Sequence, residues 1–212
     1  MIDLYCERLD PTFWAEPVNA LTNLSFLIAA FFIWRLASRS GSPALTHWVL
    51  ILLAAAIGLG SFIFHTLASN WARWVDIIPI LIFQLVFLWL YFVEIIGVRR
   101  SIALLGVVAF LALALHSRQY AYLLNGSPVY APTIITLLML GIWHHIHYSH
   151  RRSALLLAAA IFCLSLTFRT IDNAVCTSFP LGTHFLWHLL NGLVVFISAV
   201  VIVSAPRSEH PG

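Results

Sequence analysis

The chain reads as an all-α membrane protein, a bundle of seven transmembrane helices with its N-terminus outside and its C-terminus cytoplasmic. Three observations predict this. Of its 212 residues, 61% are hydrophobic and only 9% charged, against about 25% charged in an average soluble domain, and the mean hydropathy is +0.94. The apolar residues fall into about seven runs, and each crossing takes about 20 residues plus a short loop. The arginines cluster in alternate connections, the pattern that orients membrane helices. A single transmembrane domain, 1–212, then fills the chain. Its parts are an acidic outer segment (1–17), the bundle, and a short cytoplasmic tail (205–212).

The N-terminal segment carries Asp3, Glu7, Asp10 and Glu16 against Arg8 alone, the reverse of the basic start of a cleavable signal peptide. The spans come at Val18–Leu36, Thr46–Leu67, Val75–Ile96, Ile102–Leu115, Ala131–Ile146, Ala154–Thr167 and Leu181–Val203, the fourth and sixth being short for a bilayer. Gly41-Ser42-Pro43, Asn125-Gly126-Ser127-Pro128 and Phe179-Pro180 punctuate them as helix breakers do. Arg35 and Arg39, Arg99 and Arg100, Arg151 and Arg152, and Arg207 come after the odd-numbered spans. The acidic N-terminus, Arg73 with Asp76, Arg118, and Arg169 with Asp172 lie on the other side. Positive residues stay inside, which sets the orientation. There is no lysine, and a net charge of +3 dispersed over loops is not a nucleic-acid footprint.

His184 and His188 stand four apart at the start of the last span, so both project from one helix face. Ionisable groups at membrane depth are costly and point to function; the other reading is a structural pair bonding neighbouring helices. The topology brings the end of the second span, with Ser61 and His65, to the same level as Asp76 at the start of the third. Three neutral imidazoles and a water suit a catalytic zinc, whose fourth position stays open. A carboxylate beside that water can take its proton, and a hydroxyl can stabilise an oxyanion. Spacing alone leaves open that Asp76 merely pairs with Arg73 and that Ser61 merely caps a carbonyl. Cys6 and Cys176 share the outer side, where a disulfide persists, but their separation is not legible.

The pattern Ser61-x-x-x-His65, Asp76, His184-x-x-x-His188 resembles the alkaline ceramidase family. That family lies within a wider group of seven-helix hydrolases and progestin/adipoQ-type receptors sharing one Ser, one Asp and three His. Tyr5-Cys6-Glu7, Glu16-Pro17-Val18-Asn19 with Thr22-Asn23-Leu24, and Arg169-Thr170-Ile171-Asp172-Asn173-x-x-Cys176 extend the likeness from the N-terminus through the last span. The loops are shorter than in the animal enzymes. The resemblance implies that His65, His184 and His188 bind zinc, that Asp76 acts on the attacking water and that Ser61 supports the tetrahedral intermediate. It implies amide hydrolysis of an N-acyl sphingoid lipid drawn from the bilayer, and a Cys6–Cys176 disulfide. It also implies calcium held by acidic N-terminal residues. Glu7 and Glu16 match that pattern, Asp3 is offset by one residue, Leu9 replaces an asparagine, and Asp10 would substitute. The plainer reading of these four is a solvated acidic segment.

Other polar groups read as structural. His144, His145, His147 and His150 beside Arg151 read as headgroup contacts at the cytoplasmic end, Glu94 as a snorkelling side chain or a partner of Arg99 or Arg100, and Arg169 with Asp172 as an ion pair one turn apart. Asn19, Asn23 and Asn191 read as interhelical hydrogen bonds, and Cys163 as packing. The expected function is thus a zinc-dependent lipid amidase in a multi-pass membrane protein, of a bacterial inner membrane or a eukaryotic ER or Golgi. The alternatives are a hydrolase of another lipid amide or ester, and a receptor-like protein whose zinc is structural. A transporter would show broken helices and an internal repeat, and neither is visible.

Overall fold

In the computed structural model, residues 2–205 are described; Arg207 and the expected tail beyond residue 205 lie outside the described residues. Regular structure among them is helical: α1 Pro17–Thr22, α2 Leu24–Ala37, α3 Leu45–Leu67, α4 Asn70–Leu90, α5 Arg100–Ser117, α6 Ala131–His147, α7 Ala154–Val175 and α8 His184–Val203. A π-helical turn, Tyr91–Ile96, continues α4. With α1 and α2 counted together, seven helical stretches are long and apolar enough to cross a membrane, so this is a multi-pass membrane protein.

Burial decides the arrangement. About 61% of the apolar stretch of α8 and 56% of that of α3 is buried, against 17% for α5. The two central helices therefore carry the histidines, while α5 packs at the rim and turns Leu104, Leu105, Val108 and Leu113 outward. The core beneath the histidines is apolar, built from Ile57, Phe83, Phe87, Leu140, Phe162, Trp187 and Val195 among others.

At two helix ends the departure from hydropathy has a shared reason. α7 runs eight residues past Thr167, because its polar end is bonded within the protein: Thr170 meets Ser127 across 2.6 Å, and Asp172 is fully buried. α8 starts at His184 rather than Leu181. Gly182 turns the chain in a left-handed conformation (φ +67°), and Asp172 caps the first turn of the helix. Its carboxylate accepts hydrogen bonds from the amides of Thr183 (2.6 Å) and His184 (2.9 Å), placing a negative group at the positive end of α8. It accepts a third from the Cys6 amide at 3.0 Å. A Cβ at Gly182 would collide with the Asp172 carboxylate and lie 2.7 Å from Cys6 Cβ, so glycine is required on both counts.

The expected Arg169–Asp172 ion pair does not form. Arg169 donates instead to the Asn125 carbonyl, and its guanidinium lies over the rings of Tyr130 (5.3 Å) and Trp187 (5.7 Å). Glu94 is exposed near Thr46 and, among the described residues, forms no ion pair with an arginine, as a snorkelling side chain does. Cys163 is exposed on the surface of α7 rather than packed.

Cys6 and Cys176 form a disulfide with Cα atoms 5.2 Å apart, tying the N-terminal segment to the connection between α7 and α8 across 170 residues. Losing such a bond removes roughly 2–5 kcal/mol. Helices held in a bilayer are less free than a random coil, which favours the lower half of that range. Cys6→Ser with Cys176→Ser is expected to lower Tm by roughly 4–12 °C, read from the detergent-purified protein by thermal aggregation. An unchanged Tm would mean that Asp172 and the contacts of Arg8 hold the segment unaided.

Candidate metal centre and active site

His65 lies in the last turn of α3, and His184 and His188 occupy the first two turns of α8. All three are buried, their ring centroids are 4.6–5.3 Å apart, and one donor atom from each lies within 4.8 Å of the others. Hydrogen-bond partners assign the protons. Glu16 Oε2 lies 2.5 Å from His65 Nδ1, and a carboxylate only accepts, so that nitrogen carries hydrogen and Nε2 keeps its lone pair. Thr22 donates its hydroxyl proton to the Val18 carbonyl (2.8 Å) and therefore accepts from His188 Nδ1 at 3.0 Å. His188 Nε2 is left as a lone-pair donor in the same way. His184 stacks face to face on Tyr5, with centroids 3.6 Å apart, and buries Nδ1 without a hydrogen-bond partner.

This donor set fits a metal such as zinc. Three neutral nitrogens crowd one point, two of them oriented by a carboxylate and a hydroxyl in the manner of outer-shell partners, and a buried polar atom is left unsatisfied.

Asp76 and Ser61 border the cluster. With His184, His188, Tyr5 and Tyr130, among others, they line a cavity of about 20 Å³, and Asp76, partly exposed, faces the Ser61 hydroxyl. The helix contact that places them is built from two residues. Pro79, inside α4, has no N–H for the carbonyl of Val75 four residues back. Gly60 of α3 lies against that carbonyl, where a Cβ would collide with the oxygen and approach the carbon to 2.9 Å. The two backbones can then close beside Asp76. The structure thus brings together all five residues of the expected set: Ser61, His65, Asp76, His184 and His188.

The acidic residues expected to hold calcium do not fit it. Glu16 is buried and bonded by Arg8 Nε at 2.5 Å as well as by His65. Glu7 accepts the amides of Val18 (2.7 Å) and Asn19 (2.8 Å) at the start of α1. Asp10 accepts from the Thr12 amide (2.8 Å) and hydroxyl (2.5 Å), and Asp3 is exposed. Among the described residues, the group of His, Cys, Asp and Glu side chains that converges on one point is the histidine trio.

The cation beside Glu16 is the Arg8 guanidinium, itself 3% exposed. It also donates to the carbonyls of His65 (2.7 Å) and Asp10 (3.2 Å). Burial pushes the Glu16 carboxyl up, but His65 and Arg8 outweigh it and hold the group below the usual carboxylate range. Burial pushes Glu7 above that range despite its two amide bonds.

Sequence reasoning missed Thr22 and Tyr5 and gave Glu16 and Asp172 other partners. Glu16 and Thr22 stood within flagged motifs, yet no spacing rule links them to rings 49 and 166 residues away. At the opposite end of the bundle His144 is buried, bonded to the Tyr91 hydroxyl (3.1 Å) and the His150 carbonyl (3.1 Å). Its neighbours bond separately.

Seven membrane-length helices around a buried three-histidine centre, with an acid and a hydroxyl beside it, make a multi-pass membrane protein whose histidine cluster could hold a metal. The Ceramidase family model matches residues 5–210, nearly the whole chain, and the chain belongs to that family. No curated protein matches it.

Proposed function

We propose that the protein is a zinc-dependent intramembrane amidase that cleaves ceramide-like N-acyl lipids to a fatty acid and an amine. The observation that carries this reading is the histidine centre with two Nδ1 protons fixed by Glu16 and Thr22, next to a cavity lined by Asp76 and Ser61. Zinc bound there supplies a Lewis acid and lowers the pKa of water toward 7. Asp76 takes the proton of the attacking water, and Ser61 donates a hydrogen bond to the amide oxygen as charge develops on it. The new C–O bond forms, the C–N bond breaks, and the proton held by Asp76 passes to the leaving amine. Glu16 and Thr22 keep the His65 and His188 rings in register, and Tyr5 covers His184.

Two further features support details of the reading. An apolar slot of about 90 Å³ beside the centre, bordered by Phe83, Phe87, Leu137, Phe162 and Val195, suits an acyl tail. The disulfide at this end of the bundle favours an orientation with the N-terminus on the oxidising, non-cytoplasmic side.

The test is elemental analysis of detergent-purified protein alongside release of fatty acid from a fluorescent ceramide. About one zinc per chain together with turnover is expected. Zinc without hydrolysis of any N-acyl lipid would turn the reading toward a receptor-like protein, and protein without zinc would remove the centre itself.

A further inference from the structure

Beside the apolar slot lies a larger cavity of about 330 Å³ whose lining includes Arg73, Arg118 and Arg169 and no acidic residue. Among the described residues, the arginine–carboxylate pair in contact is Arg8–Glu16, so none of these three guanidinium groups is neutralised by a carboxylate in contact. Arg118 lies over the Trp74 ring at 5.3 Å, and Arg169 is steadied by the Asn125 carbonyl and the Tyr130 ring. A planar fork held this way keeps donors directed at a carboxylate, phosphate or sulfate.

The cavity shares walls with the site of the chemistry. Ile80 and Tyr130 border the apolar slot, this basic cavity and the small cavity at Asp76, His184 and His188 alike, and Arg169 borders both the basic and the small one. An amphiphile with its tail in the slot and its amide at the histidine centre would put its head group among the arginines. Resting on the amidase reading, we propose that the substrates include N-acyl amphiphiles with an anionic head group a few bonds from the amide, the N-acyl amino acid class. The basic cavity is the head-group subsite.

Part of this charge has another use, since Arg73 and Arg169 lie near enough to act on Asp76. Arg118 lines the basic cavity but not the small cavity at Asp76, so it is the residue to change.

The test is binding, so that it stands apart from turnover. N-palmitoylglycine and N-palmitoylethanolamine are a matched pair differing in a carboxylate against a hydroxymethyl group. Each is titrated against the full-length protein in neutral detergent. The anion is expected to bind at least tenfold tighter, and the advantage should shrink as salt rises. Arg118→Gln should cut the preference severalfold and Arg118→Lys should retain most of it. Equal affinities in the wild type, or a preference unaltered in Arg118→Gln, would overturn the assignment. So would phosphatidylglycerol displacing the acyl glycine as well as the acyl glycine displaces itself, which would make the cavity a bilayer-lipid site. Hydrolysis of ceramide is scored separately, and its absence would count against the amidase reading and leave the binding result standing.

Discussion

Asp76→Asn is expected to keep about one zinc per chain and to lose amide hydrolysis by roughly 10²–10⁴-fold, the usual contribution of a positioned general acid–base group. Asp76 is outside the converging histidine trio, so removing its charge leaves all three nitrogen donors in place. It sits where Gly60 and Pro79 let α3 and α4 close, so an isosteric amide fits the same space and can still meet Ser61. What an amide cannot do is accept the proton of the attacking water. Ser61→Ala is the companion variant. It should lower turnover by on the order of 10²–10³-fold, as losing one oxyanion donor does, again with zinc retained. The measurements are metal content and fatty-acid release on the same preparation. A variant with full zinc and turnover within threefold of wild type would remove Asp76 from the mechanism. One that loses zinc and fold together would assign it a structural part.

The second large effect is expected at Arg8. Its guanidinium is buried against Glu16, the His65 carbonyl and the Asp10 carbonyl, and Glu16 in turn holds His65. Arg8→Met leaves the Glu16 carboxylate buried with its main counter-charge gone, a change worth about 3–5 kcal/mol. Zinc affinity should fall roughly 10–100-fold, as it does when an outer-shell partner of a ligating histidine is disturbed. Arg8→Lys should recover only part, because an ammonium cannot reach a carboxylate and two carbonyls with the planar fork of arginine. Competition with a zinc chelator and a thermal melt check both points. Because Arg8 already supplies the positive charge next to Glu16, millimolar calcium is expected to leave the wild-type melting temperature unchanged. A marked calcium-induced stabilisation would mean that the acidic segment holds the ion after all.

The fold was legible because lipid imposes a simple rule. Backbone groups with no water to bond must bond within helices, so the seven apolar runs in the sequence are seven membrane-length helical stretches in the structure. The residues of the centre were legible for a related reason. Ser61, His65, Asp76, His184 and His188 are polar groups in apolar runs, and their positions along the spans place them at one level of the bundle. Hydropathy misplaced the ends of α7 and α8 because it scores Arg169, Thr170 and Asp172 as water-facing. In the structure their partners are Asn125, Ser127, Cys6 and the amides of α8.

The sequence by itself determined the class of protein and the number of spans, which follow from hydropathy and helical period, properties of neighbours in the chain. It named Ser61, His65, Asp76, His184 and His188 through shared membrane level and the family resemblance, and left out Thr22 and Tyr5. Only the tertiary structure decided that Glu16 bonds to His65 and Arg8, that Asp172 ties Cys6 to the start of α8, and that three arginines face one cavity. Each of these rests on pairs of groups from 8 to 166 residues apart. Their meeting depends on how the helices pack, which no local spacing encodes.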